Sequence, residues 1–517
     1  MANETKDDDD EVMLEDRIAK EALSHYHFTL HKTKGKPKPM YEWTIYAAIV
    51  AVSKKQDKLW VVSCATGSKC TSLSSSHQNN NHNIGWILHD GHAEILARRG
   101  LQRILWQHLQ STTTKTTMID YGNGDNIPLL LEEEKGDDRR ETTWKWNPDI
   151  TLHLYISDSP CGDASIFPYK DENDNNNIIH FTGAKVILPT ATTATSHADT
   201  EKKDNDKNNN ENLVVLWENN CQQNDTSFCL GREMMKQEVG KLRVKSGRSN
   251  IQSQNRSTSM SCSDKLCRYQ IFGYQGTLLQ YYIRQPIRMT SIIVSAHPNS
   301  SPKKQEEALY RAIPQRIQTT LNFLSTSTTT TSDDDDIVFS DTIIPKVAVV
   351  SAIFVQGKSM MEHQRQQQKE TNDDGKKRRK LNSTSSCGIA FNWQCTCKDK
   401  LEIIVGAKGT RQGKKNGTWN QMEQSIPSRI SRWELFKLAR PFLKHINEQE
   451  RVNPDDGKDK DEKTCDSYQN YKRQLRPSFV TKLQNLIFLS EYSPLCGWIR
   501  NTQQGDFRLV TKHEMLS

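Results

Sequence analysis

Two stretches decide the reading of this chain: His92-Ala93-Glu94-Ile95-Leu96-Ala97-Arg98-Arg99, and Tyr155-Ile156-Ser157-Asp158-Ser159-Pro160-Cys161-Gly162-Asp163. In and beyond the first, Ile95, Leu96, Leu101, Ile104, Leu105 and Leu109 recur at helical spacing, which predicts a helix from His92 to Leu109. The second ends a strand-like run, Ile150 to Ser157, and then places Pro160 at a helix start, where a missing N–H costs nothing. Outward from these, helices are predicted at Glu15 to Thr29, Phe228 to Arg243, from about Leu278, at Gln305 to Phe323, Ser428 to Ile446 and Tyr468 to Leu489. Strands are predicted at Trp43 to Val52, Leu59 to Ser63, Tyr269 to Phe272, Ser291 to Ala296, Val347 to Val355 and Leu401 to Val405. This alternation, with no internal repeat, predicts one α/β domain: a mixed sheet with helices on both faces, elaborated by C-terminal helices.

The chain has 517 residues, of which 34% are apolar, below the ~45–50% of an ordinary globular chain. The deficit is concentrated in polar runs, so the domain from 15 to 517 is expected to carry insertions near 111–145, 191–212, 324–336, 363–385 and 449–464. Residues 1–14 read as a disordered acidic tail. No apolar run approaches the ~18 residues of a membrane span, and the N-terminus opens on Lys6 and Asp7 to Asp10 without an apolar signal core. A soluble intracellular protein is therefore expected, with no obligate protein partner evident. Twelve cysteines without a secretory signal read as buried thiols and a few metal ligands. The formal charge is +7, with much of the acid in the polar runs, which fits a polyanionic partner. Lys376-Lys377-Arg378-Arg379-Lys380 reads either as a nuclear import signal or as a solvated charge run, leaving nucleus and cytoplasm both open.

His92 and Cys161 each stand at a predicted helix start, where the macrodipole favours a thiolate and metal ligation. Zinc deaminases combine H-x-E with P-C-x-x-C, the glutamate being an acid–base group and not a ligand. Here position 164 is alanine. Either there is no site, or a third ligand comes from a distance. Cys262, in Ser259-Met260-Ser261-Cys262-Ser263-Asp264-Lys265 just before a predicted strand, is the best candidate. Three protein ligands and one open position would make a catalytic zinc, with Glu94 beside it to shuttle a proton. Cys395-Thr396-Cys397 is a rival pair, its thiols on one face of a strand with no nearby histidine. Taken singly, His92 reads as a surface residue, Cys161 as a buried thiol and the Arg98–Arg99 pair as solvated.

At these residues the chain resembles the eukaryotic tRNA-specific adenosine deaminases, which convert to inosine the adenosine on the 3′ side of the tRNA-Ala anticodon and are relatives of the adenosine deaminases acting on RNA. The matching blocks are Glu42-Trp43-Thr44 with Ala47 to Val50, His92 to Arg99, Tyr155-Ile156-Ser157 with Ser159 to Ser165, Ser259 to Lys265, and Gly273-Tyr274-Gln275-Gly276. The resemblance implies a cytidine-deaminase-like domain, zinc on His92, Cys161 and Cys262, and Glu94 as proton shuttle. It implies a buried inositol hexakisphosphate, with Arg98, Arg99, Lys265, Arg268 and Thr277 carried over by motif and Arg432, Tyr468, Lys472, Trp498 and Asp506 by position. Ser68-Lys69 resembles the family's Thr-Lys at the nucleoside pocket. His89 and Gly91 depart from the family's usual asparagine and small or thiol residue, and Arg500 and Asn501 from its charged ligands near Trp498. The Tyr and Lys that the family has just before Tyr468 are not identifiable here.

Within that family, the double-stranded RNA editors carry RNA-binding domains ahead of the deaminase, and only about 40 residues precede Glu42 here, from which the tRNA branch is expected. Ser165, where the double-stranded RNA editors tend to have arginine, and the basic segment Arg243 to Arg248 also lean to the tRNA branch. The expected function is zinc-dependent deamination of adenosine in tRNA, tRNA-Ala in particular. The alternatives are an mRNA or double-stranded RNA editor of the same fold, or an inactive RNA-binding paralogue, for which a retained Glu94 would have no use.

Overall fold

The structure is a computed structural model. It describes residues 13–499 except 31–35, 40, 72–84, 113–117, 121–125, 129, 136–141, 172–173, 180–183, 190–212, 216–238, 246–256, 328–342, 362, 365–383, 397–400, 414–418, 453–466 and 491. The acidic tail up to 12, the insertion at 191–212, most of the one at 363–385, Lys376 to Lys380, Asp506, Cys397 and most of Phe228 to Arg243 therefore lie outside the described residues.

An eight-stranded mixed sheet forms the centre. Its strands, in chain order, are β1 (Tyr46–Ser53), β2 (Lys58–Thr66), β3 (Ile150–Ile156), β4 (Ser291–Ser295), β5 (Lys346–Val350), β6 (Ile389–Gln394), β7 (Glu402–Val405) and β8 (Thr410–Arg411). In space they run β5-β4-β3-β1-β2-β6-β7-β8. β3, β4 and β5 are mutually parallel and the remaining neighbours antiparallel. Two helices cover the centre from opposite sides: α1 (Leu14–Leu30) and α2 (Ala93–Thr112). Alternation along β1 serves both. Ala47, Ile49 and Ala51 join the core containing Leu96, Ala97, Leu101, Ile104 and Leu105 of α2. Tyr46, Ala48, Val50 and Val52 join the one containing Ile18, Ala19, Ala22 and Tyr26 of α1. A strand covered on both faces needs apolar residues at every position, so β1 reads as a continuous apolar run.

Several elements differ from the sequence expectation. α2 starts at Ala93, because Asp90–His92 pairs antiparallel with Ser68–Cys70, placing Ser68 opposite His92. Pro160 precedes only a single 3₁₀ turn, Asp163–Ser165. The strand expected at Tyr269 to Phe272 is the end of a helix, α3 (Cys262–Phe272), whose Ser261 cap accepts a hydrogen bond from the Asp264 N–H at 3.3 Å. Its buried Leu266, Cys267, Gln270 and Ile271 follow helical spacing, which the short apolar run Tyr269 to Phe272 conceals. Then come α4 (Thr277–Tyr282), α5 (Pro302–Tyr310), a π turn (Arg311–Gln315) and α6 (Arg316–Ser327). Arg243, expected to end a helix, lies in the short strand Arg243–Lys245.

The C-terminal part supplies α7 (Arg432–Val452), α8 (Tyr468–Gln474) and α9 (Ser478–Leu489). The single helix expected from Tyr468 to Leu489 is broken at Pro477, which caps α9 and disfavours helical geometry in the residue before it. Insertion boundaries also shift. Leu324 of α6 is core, and α7 runs to Val452, so the insertions near 324–336 and 449–464 begin inside helices. The segment 111–145 contains two hairpins, Met118–Asp120 with Asn126–Pro128 and Leu131–Lys135 with Thr142–Trp146. The second buries Leu131 and Trp144 in the main core. Its acidic run Glu132 to Glu134 hides that packing from a composition reading.

Among the described residues no helix is long and apolar enough to cross a membrane. Replacing the buried Trp144 with alanine should cost ~3–5 kcal/mol, as deletion of a core tryptophan does. Lys145→Ala, on the exposed face, should stay within ~0.5 kcal/mol. Denaturant melts of the two variants check this, and equal small effects would show the hairpin to be a loose insertion.

Candidate active site

His92, Cys161 and Cys262 converge from three separate segments, their ligand atoms within 4.8 Å of one another. His92 Nδ1 stands 3.4 Å from the Cys262 sulfur and 3.8 Å from that of Cys161. The sequence-expected trio is thus brought together, although by a different device. Cys161 gains nothing from a helix of its own. It faces the start of α3, where the Cys262 N–H points at its sulfur at 3.5 Å and the Ser263 N–H donates to its carbonyl at 3.1 Å. A hydrogen bond with the Cys262 side chain, together with Lys245 and His92, outweighs burial and holds the Cys161 thiol well below the ordinary thiol range. Gly162 permits this approach: its φ is +114°, and a Cβ there would lie 2.3 Å from the Ser261 hydroxyl. Cys395 sits in the turn after β6 and joins no such group among the described residues, and Cys397, the other half of the rival pair, lies outside them.

Glu94 stands in the first turn of α2, buried, with one carboxylate oxygen lacking a hydrogen-bond partner among the described residues. Burial, the bond to Cys161 and the charges of Cys161 and Glu94 push the Cys262 thiol up, which places Glu94 within electrostatic reach of the cluster. The Ser68 hydroxyl is also buried without a partner there, and Lys69 pairs in register with Gly91.

Behind His92 lies Asp90. One of its oxygens accepts from Lys245 at 2.7 Å, Ser259 at 2.9 Å and Lys265 at 2.5 Å. The other accepts from the His92 N–H at 3.1 Å, with Cys70 Sγ at 3.7 Å. Burial alone would raise the Asp90 carboxyl, but Lys245 and Lys265 hold it well below the usual carboxylate range. Cys70, Asp90 and His92 form a second ligand grouping. It shares His92 with the first, and its carboxylate is already engaged by two ammonium groups. Lys245 is a site residue that the sequence reading placed only in a basic segment.

Lys265 also lines a cavity of about 490 Å³, within the ~300–1,000 Å³ of small-molecule sites. Its walls carry Arg98, Arg99, Lys265, Arg268, Arg432, Lys472 and Arg476, with Thr277, Tyr468 and Trp498, and Asp90 as the carboxylate among them. Every described residue expected at a polyphosphate is therefore here. Arg476, in the break between α8 and α9, was not anticipated. Arg98 stacks on Tyr269 at 3.8 Å, Arg99 Nε donates to the Ile430 carbonyl at 2.6 Å, and Arg268 faces Phe488 and Trp498. Arg98 Nε, Arg99 Nη2 and His89 Nε2 are buried without a partner among the described residues. Burial, Arg432, Arg99 and Lys265 push His89 down to about 3. Charges this crowded and this desolvated cannot compensate one another. An anion rich in oxygens supplies what they lack.

Comparison with known proteins matches residues 63–500 to the adenosine-deaminase (editase) domain family. The chain is 25% identical to tRNA-specific adenosine deaminase 1 of Mus musculus, with 94% of this chain and 98% of the relative covered. The Homo sapiens protein of the same name is 26% identical, covering 83% and 89%. The double-stranded RNA-specific editase Adar of Drosophila melanogaster is 28% identical over 51% of this chain and 30% of its own length. Full-length correspondence thus lies with the first two.

Gly162→Ala should force Cys161 away from Ser261 and Ser263. The expected result is destabilisation by more than ~1 kcal/mol and weaker metal binding, read by calorimetry and by metal titration. Wild-type behaviour in both would show that the two segments are not held together through this glycine.

Proposed function

The chain belongs to the adenosine-deaminase (editase) domain family and is a hydrolytic adenosine deaminase, and from that premise we propose that it makes inosine in tRNA, beside the anticodon of tRNA-Ala, with zinc and a buried inositol hexakisphosphate. One observation carries the reading: two thiols and an imidazole meet with Glu94 buried beside them and one of its carboxylate oxygens unengaged. The donor set fits zinc, since thiolate and imidazole together select it over hard cations. Three ligands leave a fourth position open, and among the described residues no further His, Cys or carboxylate joins the trio.

His92, Cys161 and Cys262 would hold the ion. Zinc bound there supplies an activated water at neutral pH. Glu94 would take one proton of that water and deliver it to N1 of the adenine as oxygen bonds to C6. It would then take the remaining proton from the new C6 hydroxyl and pass it to the amine, which leaves as ammonia when the C6–N bond breaks, so one carboxyl group would carry both transfers. The base must leave its stack to reach the site, and Ser68 and Lys69, on the strand paired with that of His92, would hold the nucleoside. Ser165, whose hydroxyl donates to the Gly162 carbonyl at 3.0 Å, supports the tRNA branch through its difference from the arginine of the double-stranded RNA editors.

The polycationic cavity fits inositol hexakisphosphate on the same physical ground: its lining includes Arg98, Arg99 and His89, each with a buried nitrogen that lacks a partner among the described residues, and seven cationic side chains in all. Arg98, Arg99, Lys265, Arg268, Thr277, Arg432, Tyr468, Lys472 and Trp498 would hold it, with Asp506 as a further contact. Phosphorus analysis of the acid-denatured protein should therefore find a stoichiometric polyphosphate, and a phosphate-free folded protein would remove it from the reading.

Glu94→Gln keeps shape and hydrogen-bonding reach but cannot carry the proton. It should retain zinc and tRNA affinity while inosine formation on tRNA-Ala falls by ~10²–10⁴-fold or more. Cys262→Ala, as the companion variant, should lose the zinc itself. Zinc loss in Glu94→Gln would make Glu94 a ligand or a structural group, and near-normal deamination would assign the shuttle elsewhere. Inosine in a double-stranded RNA but none in tRNA-Ala would move the protein to the editor branch.

A further inference from the structure

Each of the two cysteines is followed two residues later by an aspartate, Asp163 after Cys161 and Asp264 after Cys262. Both aspartates are fully buried, and a single guanidinium joins them. Arg316, 4% exposed, directs Nη1 to Asp264 Oδ1 and Nη2 to Asp163 Oδ2 at 3.5 Å. The same Nη2 donates to the Gly240 carbonyl at 3.1 Å, while the Gly240 N–H donates to the other oxygen of Asp163 at 2.9 Å. Asp264 in turn accepts from the Arg243 N–H at 2.9 Å and the Ser261 hydroxyl at 2.6 Å. Three segments are thereby fastened at one point: the loop of Cys161, the start of α3 with Cys262, and the strand Arg243–Lys245 that carries Lys245 to Asp90.

The helical run that bears Arg316 departs from α geometry just before it. Arg311 also grips Asp163, through Nε at 3.2 Å to the carboxylate and Nη2 at 3.0 Å to the carbonyl. Positions five apart on an α-helix point ~140° away from each other. Between Arg311 and Arg316 the backbone is instead a π turn containing Pro314. Its i→i+5 repeat brings the two arginines toward one side, and such turns recur at functional sites.

We propose that Arg316 is a positioning residue for the metal centre, fixing the separation of Cys161 and Cys262 by tying together the aspartates that follow them. It touches none of the ligand atoms and acts through Asp163 and Asp264. A planar fork can span two carboxylates, whereas a lysine ammonium is a point charge on a flexible stem. The inference rests on the zinc reading above.

The test is zinc affinity, measured by chelator competition on the full chain, for the wild type and Arg316→Lys. The lysine preserves the buried positive charge but cannot bridge. Zinc should bind ~10–100-fold more weakly, the usual loss when a group orienting a ligand is changed, while tRNA affinity stays at the wild-type value. A folded Arg316→Lys protein with wild-type zinc affinity overturns the proposal, even if its melting temperature falls, because that is what a merely structural arginine gives. If Arg316→Lys does not fold, the variant Asp163→Asn/Asp264→Asn/Arg316→Met, which removes the buried charges together, is read against the same two outcomes. A wild-type protein that binds no zinc sinks the metal reading itself, and is recognised before any variant is measured.

Discussion

Asp90 is the charge on which the rest of the site depends. Its carboxylate sits between two regions of opposite character, the thiol and imidazole cluster on one side and the cationic cavity on the other. It serves both because Lys245 and Lys265 meet on one of its oxygens. An isolated buried carboxylate would neutralise itself by taking a proton. Two ammonium groups and a hydroxyl keep this one ionised, and its second oxygen then accepts the His92 N–H. His92 is held by the backbone of the strand that carries Asp90, so charge balance in the cavity and ligand placement at the cluster are parts of one arrangement. Lys265 completes the link, since it both contacts Asp90 and lines the cavity.

The sheet supplies the rigidity this requires. β3 ends five residues before Cys161, and α2 begins one residue after His92, packed across β1 and β2 by Leu96, Ala97, Leu101 and Leu105. The third ligand opens a helix whose buried face includes Leu266 and Ile271. Each ligand therefore leaves a well-packed element within a few residues, and little backbone freedom remains between core and site.

Much of this was legible in the sequence, for an identifiable reason. Long apolar periodicity placed the central strands and α2, and the residues singled out by the resemblance converge: His92, Cys161 and Cys262 meet beside Glu94, and nearly all the arginines and lysines of the cavity had been named. What was not legible depended on contacts distant in the chain. The strand reading of Tyr269 to Phe272 failed because a short apolar run has no period of its own, and because Ser261 and Asp264 were not read as a helix start. Arg476 drew no attention, and Lys245 drew it only as part of a basic segment, because a basic residue carries no local signal of the carboxylate or cavity it will meet. The matching Cys-x-Asp spacing at Cys161 and Cys262 was visible in the letters alone, but its meaning needed Arg316, which arrives from a helix more than fifty residues further on.

The same cation excess bears on how the C-terminal helices are held. α8 and α9 reach the deaminase core partly through aromatic rings facing the cavity's own cations: Tyr468 against Arg432 and Lys472, and Phe488 and Trp498 against Arg268. A cation over a ring contributes only ~0.5–2 kcal/mol, less than the repulsion and desolvation of seven clustered basic groups is expected to cost when nothing neutralises them. Tyr468 favours the charged form of Lys472, but burial together with Arg476, Arg268 and Arg432 leaves it below the ordinary lysine range. On the proposed reading, an anion bound here would neutralise these groups and bridge Lys472 of α8 to Arg98, Arg99 and Lys265 of the core, so its removal would weaken the attachment of the C-terminal helices before it weakened the sheet.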